Sequence, residues 1–180
     1  MARILGPRCE LTVRVLGDGS GRPFDLLDLA RQFDAICLAL GAEQPRDLPV
    51  PGRELNGVYF AMEYLIQQNK SNAGDSLSVE QITAKGKKVI IIGGGDTGSD
   101  CLGTAHRQGC IDVHQFELLP EPPPLRAEST PWPLWPMQLR TSHSHEEGCD
   151  RQWSVSTTKF SGENGQVTKL HGHQVSFEAG

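Results

Sequence analysis

"KKVIIIGGGDTGSDCLGTAHRQGC", which runs from Lys87 to Cys110, decides the fold class of this chain. Its segment Val89–Ile92 is a run of β-branched residues, which predicts a buried strand. Three glycines at the spacing G-x-G-x-x-G follow directly, and residues 97–108 have the pattern of a helix that ends at Gly109. The stretch therefore predicts a strand, a tight turn and a helix, as in a parallel α/β domain.

The three glycines of the pattern are Gly93, Gly95 and Gly98, and each has its own physical reason. Gly93 permits the tight turn, Gly95 lets a pyrophosphate approach the backbone, and Gly98 lets the helix pack closely on the strand. Gly94 lies between them and joins the candidate cofactor-binding residues. An alternative interpretation is a structural corner without a ligand, but such a corner seldom needs all three glycines.

The predicted helix begins where an anion would bind. Its first N–H groups have no partner within the helix, and its dipole places partial positive charge there. Asp96 and Thr97 suit the cap of this helix, because a side-chain oxygen can accept a hydrogen bond from one of those N–H groups. Both residues therefore join the candidate site for a dinucleotide.

Other patterns predict the rest of the architecture. Residues 120–138 contain seven prolines and are expected to lack regular structure, because proline removes backbone donors. "ENGQ" predicts a hairpin turn, since Asn-Gly is the strongest short signal for one. The remaining predictions are strands over 10–17, 34–42 and 112–119, helices over 23–33 and 57–70, and hairpin strands over 151–162 and 167–178.

Composition narrows the classes of function. A formal net charge of -5 provides no basic surface for nucleic acid, and no stretch approaches the roughly 20 apolar residues that span a membrane. The five cysteines are scattered and form no C-x-x-C pair, so we expect reduced thiols, no bound metal and a cytoplasmic protein. "HSHEEG" at 143–148 offers too few ligands at the right spacing to change that.

Several stretches resemble the pyridine-nucleotide-binding domain of the glutamate synthase small (beta) subunit. They are "GKKVIIIGGGDTGSDCLGTAHRQGC", "QFELLPEPPPLRAE", "PWPLWP", "ALGAEQPRDLPVPGREL", "HEE" and "GENGQVTKL", in the family's order. The resemblance implies a Rossmann-like α/β domain of the two-dinucleotide-binding-domain flavoprotein type. It implies that 1–55 is a partial FAD-domain segment and 56–180 a nicotinamide-nucleotide domain that is incomplete at its C-terminus.

The resemblance also implies a reaction and partners. In that family, NAD(P)H passes hydride to FAD, and electrons cross iron–sulfur clusters to a large subunit, where glutamine and 2-oxoglutarate become two glutamates. The implied partners are the rest of the small subunit and that large subunit, with no nucleic acid and no membrane. The family's FAD-binding glycine turn should lie upstream of "ELTVRV", so we expect this chain alone to bind the nucleotide without FAD, and we assign it no catalytic residue. An alternative is a nucleotide-binding or interaction module without electron transfer.

Two residues bear on the choice of nucleotide, and they argue in opposite directions. Glu117 lies near the end of the second predicted strand, where a carboxylate accepts the ribose hydroxyls of NADH and repels the 2′-phosphate of NADPH. Arg126 follows nine residues later and would pair with a 2′-phosphate, or else support the loop. Because the bacterial members of the resembled family use NADPH, we favour NADPH over NADH.

Overall fold

The computed structural model describes residues 31, 33–35 and 44–177. The chain divides into two compact units, Met1–Ala42 and Glu43–Gly180, and nearly all of the described residues belong to the second. The three elements predicted before residue 43 lie wholly or largely outside the described residues. The domain boundary predicted at residue 55 stays a prediction.

Three parallel strands form the larger of the two sheets described in the second unit. In chain order they are β1 Lys88–Ile92, β2 Asp112–Phe116 and β3 Asp150–Gln152, and β2 lies between the other two. β1 contains the β-branched run of the prediction, which is confirmed. β2 is shorter than predicted, because the strand ends at Phe116. Leu118 and Leu119, which the prediction included, are exposed.

Two helices pack beside this sheet. α1 covers Ala61–Ala73 and contacts α2, which covers Asp96–Arg107 and contacts β1 and β2. The core lies at the latter contact and is built from six buried residues, Ala84, Ile91, Cys101, Leu102, Ala105 and Val113. The helix predicted after the turn is thus confirmed. Its inward side covers one face of the sheet.

The limits of α1 differ from the predicted 57–70. The helix starts after Phe60, whose N–H donates to the carboxylate of Glu63 at 3.3 Å. It ends at Gly74, whose φ of 82° lies in the left-handed region that glycine adopts most easily. Within the described residues, no helix has the length and apolar character that crossing a membrane requires.

The predicted Asn-Gly hairpin is confirmed. β4 Val155–Glu163 and β5 Gln166–Gln174 pair antiparallel and are joined by two residues. Asn164 and Gly165 both have positive φ, 52° and 76°, as a type I′ turn requires.

The start of the predicted hairpin is wrong. Residues 150–152 belong to β3, which pairs with β2 in the parallel sheet rather than with β5. The chain breaks from that strand at Ser154, whose φ is 57°, and Val155 N–H then donates to the Glu117 carbonyl at 3.0 Å. Residues 151–162, which the sequence predicts as one strand, therefore contribute to two sheets.

The proline-rich segment lacks helix and strand throughout 120–142, as predicted. Its tryptophans are exposed, Trp132 by 83% and Trp135 by 74% of their surface. The Arg140 guanidinium lies 4.3 Å from the centroid of the Trp135 ring. Neither ring packs over the sheet within the described part of the chain.

Leu102→Ala should lower the free energy of unfolding by about 2–5 kcal/mol, because it removes a fully buried side chain and leaves a cavity. Leu125→Ala is the matched control, since Leu125 is 76% exposed, and should change that free energy by less than about 0.5 kcal/mol. Urea unfolding followed by circular dichroism measures both. Equal losses would contradict the location of the core.

Candidate functional site

The glycine turn joins β1 to α2 at the carboxyl edge of the parallel sheet. Gly93 has a φ of 120°, a conformation that side chains with a Cβ rarely adopt, and its N–H donates to the Phe116 carbonyl at 2.8 Å. The predicted tight turn at Gly93 is therefore present, and it is attached to the end of β2.

The N-terminus of α2 has no side-chain cap. The N-cap residue is Gly95, and Asp96 and Thr97 are the first two helical residues, both exposed. The expectation that these two cap the helix is wrong, because the cap position lies one residue earlier. The first N–H groups of a helix have no partner within it, so this end can bind an anion.

Glu117 closes over the turn from the end of β2. Its Oε2 accepts a hydrogen bond from Gly94 N–H at 2.5 Å, and its Oε1 accepts one from Leu119 N–H at 3.1 Å. A Cβ on Gly94 would lie 2.6 Å from that Oε2. A side chain at position 94 would therefore displace this carboxylate, so Gly94 permits its approach, which is a role that the G-x-G-x-x-G pattern does not assign to it.

Gln115 holds the same turn from two positions earlier on β2. The residue is 2% exposed, and its Nε2 donates to the Gly93 carbonyl at 2.9 Å. A Cβ on Gly98 would lie 2.6 Å from that carbonyl oxygen and 2.9 Å from the Gln115 amide nitrogen, but 3.4 Å from Ile91. Gly98 is thus required more by the turn and Gln115 than by the strand.

A short helix that the sequence did not predict supports Gln115. α3 covers His143–Glu146 and packs against α2 beside Gly103, where a Cβ would lie 2.5 Å from the Ser144 hydroxyl. His145 of this helix reaches the Gln115 Oε1 through its Nε2 at 2.9 Å. An ion pair between Arg107 and Glu147 also joins the two helices.

The candidate site residues do not all come together. The structure brings Glu117 onto the glycine turn through Gly94, and these two residues help to line a small pocket of about 10 Å³, which is room for one water molecule. Arg126 instead donates to the Leu134 carbonyl at 2.9 Å, and no described hydrogen bond joins it to the turn. The pocket is lined by Gly94, Gln115, Glu117, Arg151, Gln152 and Trp153.

Sequence reasoning missed Gln115, Ser142 and His145. Alternation along β2 offered one signal, because Gln115 shares the inward face with Val113 and a polar residue there needs a buried partner. Nothing in the sequence pattern identified His145 as that partner, since it lies 30 residues further along the chain.

Comparisons with known proteins identify the family of this chain. A family model described as pyridine nucleotide-disulphide oxidoreductase matches residues 27–179. The glutamate synthase [NADPH] small chain of Mycobacterium tuberculosis (strain CDC 1551 / Oshkosh) is 57% identical over 152 residues, which cover 82% of this chain and 31% of that protein.

Two further relatives differ in length and in the nucleotide that their names give. The glutamate synthase [NADPH] small chain of Bacillus subtilis (strain 168) is 43% identical, over 82% of this chain and 32% of that protein. The glutamate synthase [NADH] of Saccharomyces cerevisiae is 40% identical, over 88% of this chain and 8% of that protein. The chain thus matches about a third of the bacterial relatives' length.

Gly98→Ala should lower the free energy of unfolding by about 1–3 kcal/mol, because the added methyl group would overlap the Gly93 carbonyl. Gly95→Ser is the control: a Cβ there meets no atom within 4 Å, and serine is a favourable N-cap residue. The control should retain the wild-type stability in a thermal or urea titration. A stable Gly98→Ala would mean that the turn does not approach α2 this closely.

Proposed function

Because the chain belongs to the pyridine nucleotide-disulphide oxidoreductase family, we propose that its glycine turn binds the pyrophosphate of NADPH or NADH. The observation that carries the proposal is the open space at Gly95, beside the uncapped N-terminus of α2. A phosphate at that point would face the N–H groups of Asp96, Thr97 and Gly98 and the positive end of the helix dipole.

The nucleotide that we favour is NADPH. Both oxygens of Glu117 already accept hydrogen bonds from main-chain N–H groups, so fewer of their lone pairs remain for the ribose hydroxyls that would favour NADH. Arg126 uses one of its five N–H groups on the Leu134 carbonyl and keeps others for a phosphate. The names of the two bacterial relatives give NADPH, whereas that of the yeast relative gives NADH.

In a longer protein, we propose that the bound nucleotide supplies hydride to FAD for glutamate synthesis from glutamine and 2-oxoglutarate. The partners would be the rest of a small subunit and a glutamate synthase large subunit. The relatives are glutamate synthase subunits, and the oxidoreductase family to which the sequence resemblance pointed is confirmed. The residues of this chain would hold and orient the nucleotide, and none of them is assigned a part in hydride transfer.

The alternative is a nucleotide-binding module without electron transfer. The sequence contains one G-x-G-x-x-G set, at Gly93, Gly95 and Gly98, whereas hydride transfer to flavin needs a second dinucleotide site in near-attack geometry. NADPH oxidation by the longer, flavin-loaded protein would support the enzymatic proposal. NADPH binding without oxidation in that same protein would support the module.

Gly95→Val should abolish binding of NADPH and NADH with little loss of stability. Its branched side chain would enter the space that the pyrophosphate needs, and that space contains no protein atom within 4 Å of the Cβ. Isothermal titration calorimetry measures the affinity, and Gly95→Ala gives the graded control with a smaller loss. Titrations equal to those of the wild type would contradict the site assignment.

Arg126→Ala should weaken NADPH binding by about 1.5–3 kcal/mol, the range for a hydrogen bond to a charged group, and should leave NADH unchanged. Arg140→Ala is the charge-matched control, because Arg140 lies in the same proline-rich segment but stacks on Trp135. Parallel titrations with both nucleotides measure the difference. Equal losses for NADPH and NADH would mean that Arg126 only supports the loop through Leu134.

A further inference from the structure

We propose that Gln115 and His145 are positioning residues for the dinucleotide: with Glu117 they clamp the peptide unit between Gly93 and Gly94 in one orientation. This inference rests on the proposed nucleotide binding and identifies what prepares the turn for it. Gln115 and His145 touch the turn or each other, and neither is placed against the nucleotide.

The clamp acts on both ends of a single peptide unit. The Gly93 carbonyl accepts from the Gln115 amide at 2.9 Å, and the Gly94 N–H donates to Glu117 at 2.5 Å. A peptide unit is planar, so holding its oxygen on one side and its hydrogen on the other fixes its rotation. A flipped unit would point the Gly93 oxygen at the Glu117 carboxylate and two donors at each other.

His145 decides which way the Gln115 amide faces. The main-chain N–H of Ser142 lies 3.1 Å from His145 Nδ1, and an N–H can only donate, so Nδ1 carries no proton. The ring proton is therefore on Nε2 and is donated to the Gln115 Oε1 at 2.9 Å. That bond leaves the NH2 group of Gln115 to face the Gly93 carbonyl, and the reverse amide orientation would break both hydrogen bonds.

The surroundings keep His145 neutral. Burial lowers the pKa of its imidazole, and the positive charge of Arg151 lowers that pKa further. Ser142, whose N–H sets the tautomer, is itself tied to the Ser99 hydroxyl in the first turn of α2. The clamp thus extends from the glycine turn to the helix that the turn begins.

The clamp matters because the peptide unit between two glycines rotates easily. Neither Gly93 nor Gly94 has a Cβ, so rotation of the peptide unit between them meets little intrinsic steric resistance. A turn that samples both orientations would present a carbonyl oxygen to the anion in part of its population. The apparent affinity falls with the competent fraction, so a prepared turn binds both nucleotides more tightly.

Gln115→Glu tests the clamp in the 180-residue chain. Glutamate keeps the size and the acceptor for His145 Nε2–H, but its ionised carboxylate places an oxygen without a hydrogen against the Gly93 carbonyl, so this variant is measured at a pH where NMR shows that its carboxyl group is ionised. We expect the Kd of NADPH and of NADH to rise about tenfold each, as one lost hydrogen bond predicts. His145→Leu should give the same loss, whereas His145→Gln, which retains a neutral donor to Gln115, should stay within about threefold of the wild type.

A structural control separates positioning from general destabilisation. Val113→Ala alters the same face of the same strand without touching the turn, and its affinity should stay at the wild-type value while the protein is folded. Affinity that falls as far in Val113→Ala as in Gln115→Glu at matched stability would overturn the proposal. So would an unchanged affinity in Gln115→Glu.

Two NMR measurements test the clamp even if the proposed function fails. The ring nitrogen shifts of His145 in the wild-type chain should report the neutral tautomer protonated at Nε2, and any other form near neutral pH would overturn the proposal. The Gly94 amide should exchange its hydrogen faster in Gln115→Glu, and an unchanged rate would also overturn it. A wild-type chain that binds neither nucleotide would instead refute the proposed function.

Discussion

One peptide unit, between Gly93 and Gly94, is held at both ends by β2, and the geometry of the candidate site depends on it. Gln115 lies on that strand and Glu117 directly follows its last residue, so the period of two along an extended chain brings both side chains to the same side. One supplies a donor and the other an acceptor, which satisfies the Gly93 carbonyl and the Gly94 N–H. A strand neighbouring the turn thus sets its conformation.

The same constraint divides the glycines into two kinds. Gly94 and Gly98 lack side chains because Glu117 and the Gly93 carbonyl occupy the space a Cβ would need. Gly95 meets open space, since no atom lies within 4 Å of a Cβ there, and this is the space in which we propose that the pyrophosphate binds. A single sequence pattern therefore combines glycines required by the fold with a glycine available to a ligand.

The absence of a side-chain cap on α2 supports the same interpretation of the turn. A serine, threonine, aspartate or asparagine at the N-cap stabilises a helix by about 1 kcal/mol relative to alanine. Replacing such a residue with glycine costs only a few tenths of a kcal/mol. Gly95 therefore costs α2 little stability and leaves its N-terminus open. Local departures from the most stable choice concentrate at functional sites, which agrees with membership of an oxidoreductase family that binds pyridine nucleotides.

The sequence by itself determined the elements whose signal is local. The strand, turn and helix over Lys87–Cys110 and the Asn164–Gly165 hairpin turn follow from residues that are neighbours in the chain, and the family resemblance rested in part on the same stretches.

Only the tertiary structure decided that residues 150–152 join the parallel sheet and that His145 orients Gln115. It also decided that Arg126 meets Leu134. The first two depend on the path of the chain after β2, which brings residues 30 and 36 positions apart into contact, and periodicity within a segment carries no information about that path.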